Sequence, residues 1–351
     1  MPKSRGVLAV ALTATVSTLL TAPGAAETLK DALTKTYMGN PILTGARAGQ
    51  RAQDETVAIA KADGRPAAGL TGSYTEELHR AFPSTTPLRT AAGQASLDIP
   101  LYSGGAVRNA VKAAKLRVEA GQNDLRATES AIFSRVVAAY LDVIRDSAIV
   151  DLNAQNVRTL EVNLRATSDR FEVGDVTRTD VAQSEARLAL ARAELQRVQA
   201  QLIASKENYT ALVGTPPENL EPPPPLPGLP DSPETAVETA LADNPDIRSA
   251  QKDRDAARFD VRSAKARIAP RLSAFTQGGY QDFLGSQNQT LLTYGSVKSA
   301  AAGATVTLPL YQGGRPGALE RQAIARQSLA IEQAVAVERD VVAQARAAYA
   351  S

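Results

Sequence analysis

The chain has 351 residues, enough for one large or two ordinary domains. It holds no Cys, no Trp and a single His, His79, which excludes disulfides, thiolate metal centres and cysteine nucleophiles and leaves no multi-histidine metal site. Lys3 and Arg5, at the extreme N-terminus, account for the formal net charge of +2, so the rest of the chain is neutral, which argues against a nucleic-acid binder.

The first element is a leader. Lys3 and Arg5 precede an apolar run from Val7 to Leu20, and the small residues Gly24-Ala25-Ala26 follow. That order predicts a secretory signal peptide over 1–26, cleaved after Ala26. The run is shorter than the ~20 apolar residues of a spanning helix, and no later segment is long and apolar enough for one. An exported chain of this kind is periplasmic, external, or set in the outer membrane as β-strands. Hydropathy leaves all three open, because barrel strands alternate and average out.

A helical segment is predicted over Thr28–Asp63, broken or restarted at Asn40-Pro41. Two strands follow. Ala67–Glu77 is rough but bears Tyr and Thr. Over Ala95–Leu101, Ala95, Leu97, Ile99 and Leu101 face one way, and Ser96 and Asp98 the other. Such lengths suit barrel strands of roughly 9–11 residues and equally an ordinary sheet with one buried face.

Gly104-Gly105 then opens a helix that runs without Pro to about Arg170. Val107, Val111, Ala114, Val118, Gly121, Leu125, Thr128 and Ile132 form a heptad seam. At about 1.5 Å per residue such a helix is a rod of roughly 100 Å. Arg170-Phe171-Glu172-Val173-Gly174-Asp175-Val176-Thr177 turns the chain, with Gly174 free to go left-handed and Thr177 and Asp180 spaced as a capping box. The return helix, to about Val213, repeats the seam at Val181, Ser184, Leu188, Ala191, Leu195, Val198, Leu202, Ser205, Tyr209 and Leu212. The pair predicts an antiparallel coiled-coil hairpin.

Gly214–Pro233, with Glu221-Pro222-Pro223-Pro224-Pro225, is a stiff connector. A helix is predicted over Pro233–Ile268, ended by Pro270, then strands over Arg271–Phe283 and Gly303–Leu310, and Gly313-Gly314 opens a last helix.

The second half repeats the first. Ile99-Pro100-Leu101-Tyr102-Ser103-Gly104-Gly105 matches Leu308-Pro309-Leu310-Tyr311-Gln312-Gly313-Gly314, and Ala139-Tyr140 matches Ala348-Tyr349, both 209 residues apart. Asn40-Pro41 and Pro66 match Asn244-Pro245 and Pro270, 204 residues apart. Two copies of one unit explain this most economically. The organisation is therefore a leader (1–26), repeat 1 (27–213), a Pro-rich linker (214–233) and repeat 2 (234–351).

No enzyme is legible. Glu76-Glu77 and Asp253/Asp255 are carboxylate pairs in sequence only, read as solvated faces or pore lining. The Gly-Gly pairs lack the Lys-Ser/Thr of a phosphate loop and the spacing of a dinucleotide fingerprint. No cofactor or metal is expected. Phe171 and Val173, apolar at an exposed tip, are better functional candidates.

These parts, in this order, resemble the TolC family of outer-membrane efflux and type I secretion channels. The likeness rests on the two strand-to-helix turns, with Tyr102, Gly104, Gly105, Tyr311, Gly313 and Gly314, and on the hairpin turn Arg170–Thr177. It implies an α+β membrane protein: four outer-membrane β-barrel strands per chain, continued by long α-helical coiled-coil hairpins. Three chains would close a twelve-stranded barrel and a helical tube across the periplasm. It further implies a homotrimer in contact with outer-membrane lipid, whose tips (Arg170, Phe171, Val173, Gly174, Asp175, Val176, Thr177) dock a periplasmic adaptor linked to an inner-membrane pump. Physics agrees, since four strands cannot close a barrel alone and open edges are not tolerated in lipid.

One departure stands out. Copy one continues 73 residues past Tyr140 to Val213, whereas copy two ends two residues after Tyr349. The counterpart of one hairpin, some 71 residues, and the family's gate positions would lie beyond Ser351, and a fragment or a truncated reading frame is expected. Two other readings compete with a channel subunit. One is a structural periplasmic coiled-coil spacer. The other is a periplasmic adaptor, against which stands the lack of a hairpin inserted in a split lipoyl-like sheet.

Overall fold

The computed structural model describes residues 27–79, 89–225, 228–284 and 296–350. The expected signal peptide, 1–26, lies outside them. The order is α1 (Leu29–Gly39), α2 (Pro41–Ala62), β1 (Ala67–Glu76), β2 (Arg89–Tyr102), α3 (Ala106–Glu172), α4 (Arg178–Val213), α5 (Pro233–Asp243), α6 (Pro245–Lys265) with a 3-10 turn Ala266–Ile268, β3 (Arg271–Leu284), β4 (Val297–Thr307) and α7 (Arg315–Ala350). Among the described residues no helix is long and apolar enough to cross a membrane.

The chain divides into two compact units. One holds 27–40 and Phe133–Pro225; the other holds Pro41–Ile132 and 228–350. In the first, α1 lies on α4, and Ala32, Thr36, Val136, Ala139 and Tyr140 are buried. Val157, Leu188 and Ala191 form the seam toward the tip, with Leu160, Leu164 and Leu195 packed on them. None of the ten expected return-helix seam positions is exposed, as a strict heptad requires.

The second unit carries the sheet, α2, the start of α3, and α5 to α7. Small residues fill its helix contacts: Ala113, Ala114, Ala120, Ala256 and Ala257 are buried. A side chain at Gly121 would run into Gln50. The sheet is antiparallel in the order β1-β2-β3-β4. The repeat holds in its hairpins, because Ala67 faces Asp98 in one and the repeat-related Arg271 faces Thr307 in the other.

Register sorts the strand residues onto two faces. Leu70, Ala95, Gly278 and Ala300 share one face, and Ala68, Leu97, Thr276 and Ala302 are their neighbours on it. The opposite face carries Thr71, Ser73, Gln94, Ser96, Asp98, Gln277, Ser299 and Thr305. The Gln94 side chain donates to that of Gln277 at 3.3 Å. One face is thus Ala- and Leu-rich, with Glu76, Arg89, Asp282 and Lys298 at its loop end, and the other carries most of the Thr, Ser and Gln, with Phe275 and Phe283 among them.

Three boundaries differ from expectation. The helix expected over Pro233–Ile268 breaks at Asn244-Pro245, as its counterpart breaks at Asn40-Pro41. Both Asn residues are extended (ψ 124° and 126°) because a following proline disfavours the helical region. β2 begins at Arg89 rather than Ala95 because its Gly and Ala residues hide the alternation, while pairing on both sides holds the strand. β4 runs from Val297 and ends at Thr307, so Leu308–Leu310, expected as strand, is not one.

Candidate functional site

The hairpin tip is built by capping. α3 ends in a Schellman motif: Gly174 has φ 84°, the Asp175 N–H donates to Arg170 O at 2.9 Å, and the Gly174 N–H donates to Phe171 O at 3.0 Å. Arg170 closes the loop with its guanidinium 2.7 Å from the Asp175 carboxylate. α4 opens with a capping box in which the Thr177 hydroxyl accepts from Asp180 N–H and the Asp180 carboxylate accepts from Thr177 N–H at 2.8 Å. Hydrogen bonds from the Thr177 side chain and backbone hold the Asp180 carboxyl below the usual carboxylate range. Val173 is 80% exposed and Phe171 42%, while Val176 is half-buried. All seven expected tip residues therefore lie in one turn, and two of them offer apolar surface to solvent.

The two strand-to-helix turns share one backbone. Gly104 and Gly105 have φ 64° and 86°, Gly313 and Gly314 have 57° and 76°. In each, the first N–H of the helix donates to the residue before the pair: Ala106 to Ser103 at 3.0 Å, and Arg315 to Gln312 at 3.1 Å. Tyr102 closes β2, whereas Tyr311 lies beyond β4.

The carboxylate pairs resolve as surface features. Glu76 pairs with Arg89 at 3.0 Å and Asp255 with Arg254 at 3.1 Å. Asp253 shares a groove with Arg117 and Asp260, and burial, with the Asp124 charge, holds its carboxyl above the ordinary range. His79 is exposed just after β1. Among the described residues no cluster of His, Cys, Asp and Glu could hold a metal ion.

A buried polar cluster in the first unit escaped sequence reasoning. The Tyr140 hydroxyl donates to Glu27 O at 2.8 Å and lies 2.5 Å from Glu221 O. It thereby ties the start of the described chain to the connector, where Glu27 also bridges Leu220. Tyr209 stacks obliquely on Tyr140, with centroids 6.3 Å apart. Its hydroxyl makes no hydrogen bond of normal geometry among the described residues. Burial first, and then the Glu27 carboxylate, hold that phenol protonated well above the ordinary range. One turn away, Ser205 donates to buried Asp146 at 2.6 Å, and Arg145 lies 2.8 Å from the same carboxylate. Burial pushes the Asp146 carboxyl up, but these partners outweigh it and hold it low. The available signal was polar identity at seam positions: Ser205 and Tyr209 stand where a coiled coil prefers aliphatic residues.

A model of the outer membrane efflux protein family matches residues 33–215 and 236–351. The outer membrane efflux protein BepC of Brucella suis is 35% identical over 306 residues, covering 87% of this chain and 65% of its own length. The alkaline protease secretion protein AprF of Pseudomonas aeruginosa is 28% identical over 207 residues, covering 57% of this chain and 42% of its own. The chain thus spans less than two thirds of either relative. The outer membrane protein VceC of Vibrio cholerae superposes with a TM-score of 0.72 at 24% identity, covering 89% of this chain and 75% of that one. That likeness is one of fold.

Proposed function

The chain belongs to the outer membrane efflux protein family, the TolC-type channels of the bacterial outer membrane that extend into the periplasm, and from that premise we propose that it is one subunit of a passive exit duct. The single observation that carries this reading is the sheet. Its four strands of 10, 14, 14 and 11 residues have one Ala- and Leu-rich face and one richer in Thr, Ser and Gln, and among the described residues β1 and β4 are the edges. Strands of that length suit a membrane wall, with the apolar face to lipid and the polar face to a water-filled lumen. Four strands close no barrel, so copies must join, and three copies giving twelve strands is the arrangement the family resemblance implies.

Such a duct performs no chemistry. Lumen shape and charge set what passes, and energy comes from an inner-membrane pump reached through a periplasmic adaptor. Phe171 and Val173 at the capped tip are the docking contacts we assign to that adaptor. BepC is named for efflux and AprF for protease secretion, so export of small molecules by a tripartite pump and protein export by a type I system both remain within the reading. The test is extraction of outer membranes. The chain should resist carbonate and salt and dissolve only in detergent; release by carbonate would overturn the channel and favour the periplasmic spacer.

A further inference from the structure

Three arginines converge where the second strand pair meets α7. Arg267 lies in the 3-10 turn after α6, Arg271 opens β3, and Arg315 opens α7. With Thr307 and Gln312 they line one groove of about 180 Å³. All three are exposed, and none of their guanidinium groups has a hydrogen-bond or ion-pair partner among the described residues. Charges nearby do pair: Arg117 with Asp260, Arg254 with Asp255, and Lys265 with Glu320.

The fold does not require these arginines. Under the repeat, Arg267, Arg271 and Arg315 correspond to Asp63, Ala67 and Ala106, and Thr307 corresponds to Asp98. Both strand-to-helix turns nonetheless have the same left-handed glycine pair. Copy one therefore builds its turn beside two carboxylates, and copy two beside three guanidinium groups. Like charges lining one groove repel, and a bound anion would offset that repulsion.

The groove adjoins the face of the sheet assigned above to the lumen. By register Arg271 and Thr307 share the face that carries Thr71, Gln94 and Gln277. Arg267 and Leu319 also line the next groove, along α6 and α7, which holds Arg326 and the Arg117–Asp260 pair. The Thr- and Gln-bearing wall of the sheet is thus continuous with one side of the helix layer, and the three arginines sit at the join.

A guanidinium fork matches carboxylate and phosphate oxygens two at a time. Screening acts over roughly 8 Å at physiological salt, so guanidinium groups lining one small groove act on the same ion. The positive N-terminal end of the 36-residue α7 adds to their field. We propose that this groove is a transit site for multiply charged anions, so that the molecules exported through the duct include ones bearing carboxylate or phosphate groups. This rests on the channel reading above, with the Thr- and Gln-bearing face to the lumen. Asp98 stands opposite Phe275, about 13 Å along β3 from Arg271, so an acidic level and a basic level follow one another along the path.

Inorganic pyrophosphate is the probe. It should bind the chain purified from outer membranes in detergent, read by calorimetry, and should block the KCl current in planar bilayers. Arg267→Gln, Arg271→Gln and Arg315→Gln together should weaken binding and block about ten-fold or more. Arg267→Lys, Arg271→Lys and Arg315→Lys together should recover much of both, because the charge is kept. Asp98→Asn, which removes a charge of opposite sign from the same face, should not weaken the block. A native current that pyrophosphate leaves untouched, or a block that the glutamine variant retains, would overturn the proposal and leave the channel reading standing. Arginine-dependent binding without block would set the groove beside lipid phosphates instead, and would overturn it as well. A chain washed out by carbonate would overturn the channel reading, and the calorimetric comparison would still judge the groove.

Discussion

At the scale of single residues, exposure and hydrogen bonding separate function from stability. Val173 packs on little and caps nothing, so Val173→Asp should leave the melting temperature within about 2 °C. The same change should abolish adaptor capture and export, measured by in-cell crosslinking and substrate efflux; normal export would remove the tip from the docking surface. Tyr140 and Tyr209 make the complementary case. Tyr140→Phe takes the hydroxyl away from the Glu27 carbonyl, which keeps the Glu221 N–H, and from the Glu221 carbonyl, and should cost about 1–3 kcal/mol. Tyr209→Phe removes a buried hydroxyl that makes no hydrogen bond of normal geometry among the described residues and should be neutral or mildly stabilising. Thermal unfolding followed by circular dichroism distinguishes the pair, and equal losses would mean that the Tyr209 hydroxyl has a partner of its own.

At the scale of elements, the hairpin is a seam of small and aliphatic residues closed by caps at the turn. Leu188 is buried between Val157 and Ala191, while Leu190, two residues on, points to solvent. Leu188→Ala should cost about 2–4 kcal/mol of hairpin stability, and Leu190→Ala no more than about 0.5 kcal/mol, read from helical ellipticity on heating in detergent. Equal costs would mean that the seam lies elsewhere. The hairpin was legible in sequence because its period is long and uninterrupted: some ten seam positions outvote any local ambiguity. The strands were legible only in part. β2 begins Arg-Thr-Ala-Ala-Gly-Gln-Ala, where Ala and Gly are too small to mark a face, and pairing with β1 and β3 decides its length.

At the scale of the molecule, the polar face of the sheet carries one carboxylate among the described strand residues, Asp98 on β2, with Arg271 at the base of β3. If that face lines a lumen shared by several copies, the Asp98 carboxylates form a ring, and rings of acidic side chains favour cations. Asp98→Asn should move the reversal potential in a KCl gradient toward zero in planar bilayers. An unchanged potential would take Asp98 off the conducting path.

The sequence by itself determined the parts and their order: two copies of a strand pair and a long helix, one hairpin with its turn, and the family. Those are properties of periodicity and of residues such as Gly174, Pro41 and Pro245 that permit few backbones. The tertiary structure decided what depends on neighbours. It broke the helix at Asn244, paired β2 with β3 and so joined the copies in one sheet, sorted the strands into apolar and polar faces, and buried Tyr140 against Glu27 and Glu221. It also let one motif be strand at Ile99–Tyr102 and not at Leu308–Tyr311. A strand is completed by hydrogen bonds to another strand, and no local sequence records whether that partner is present.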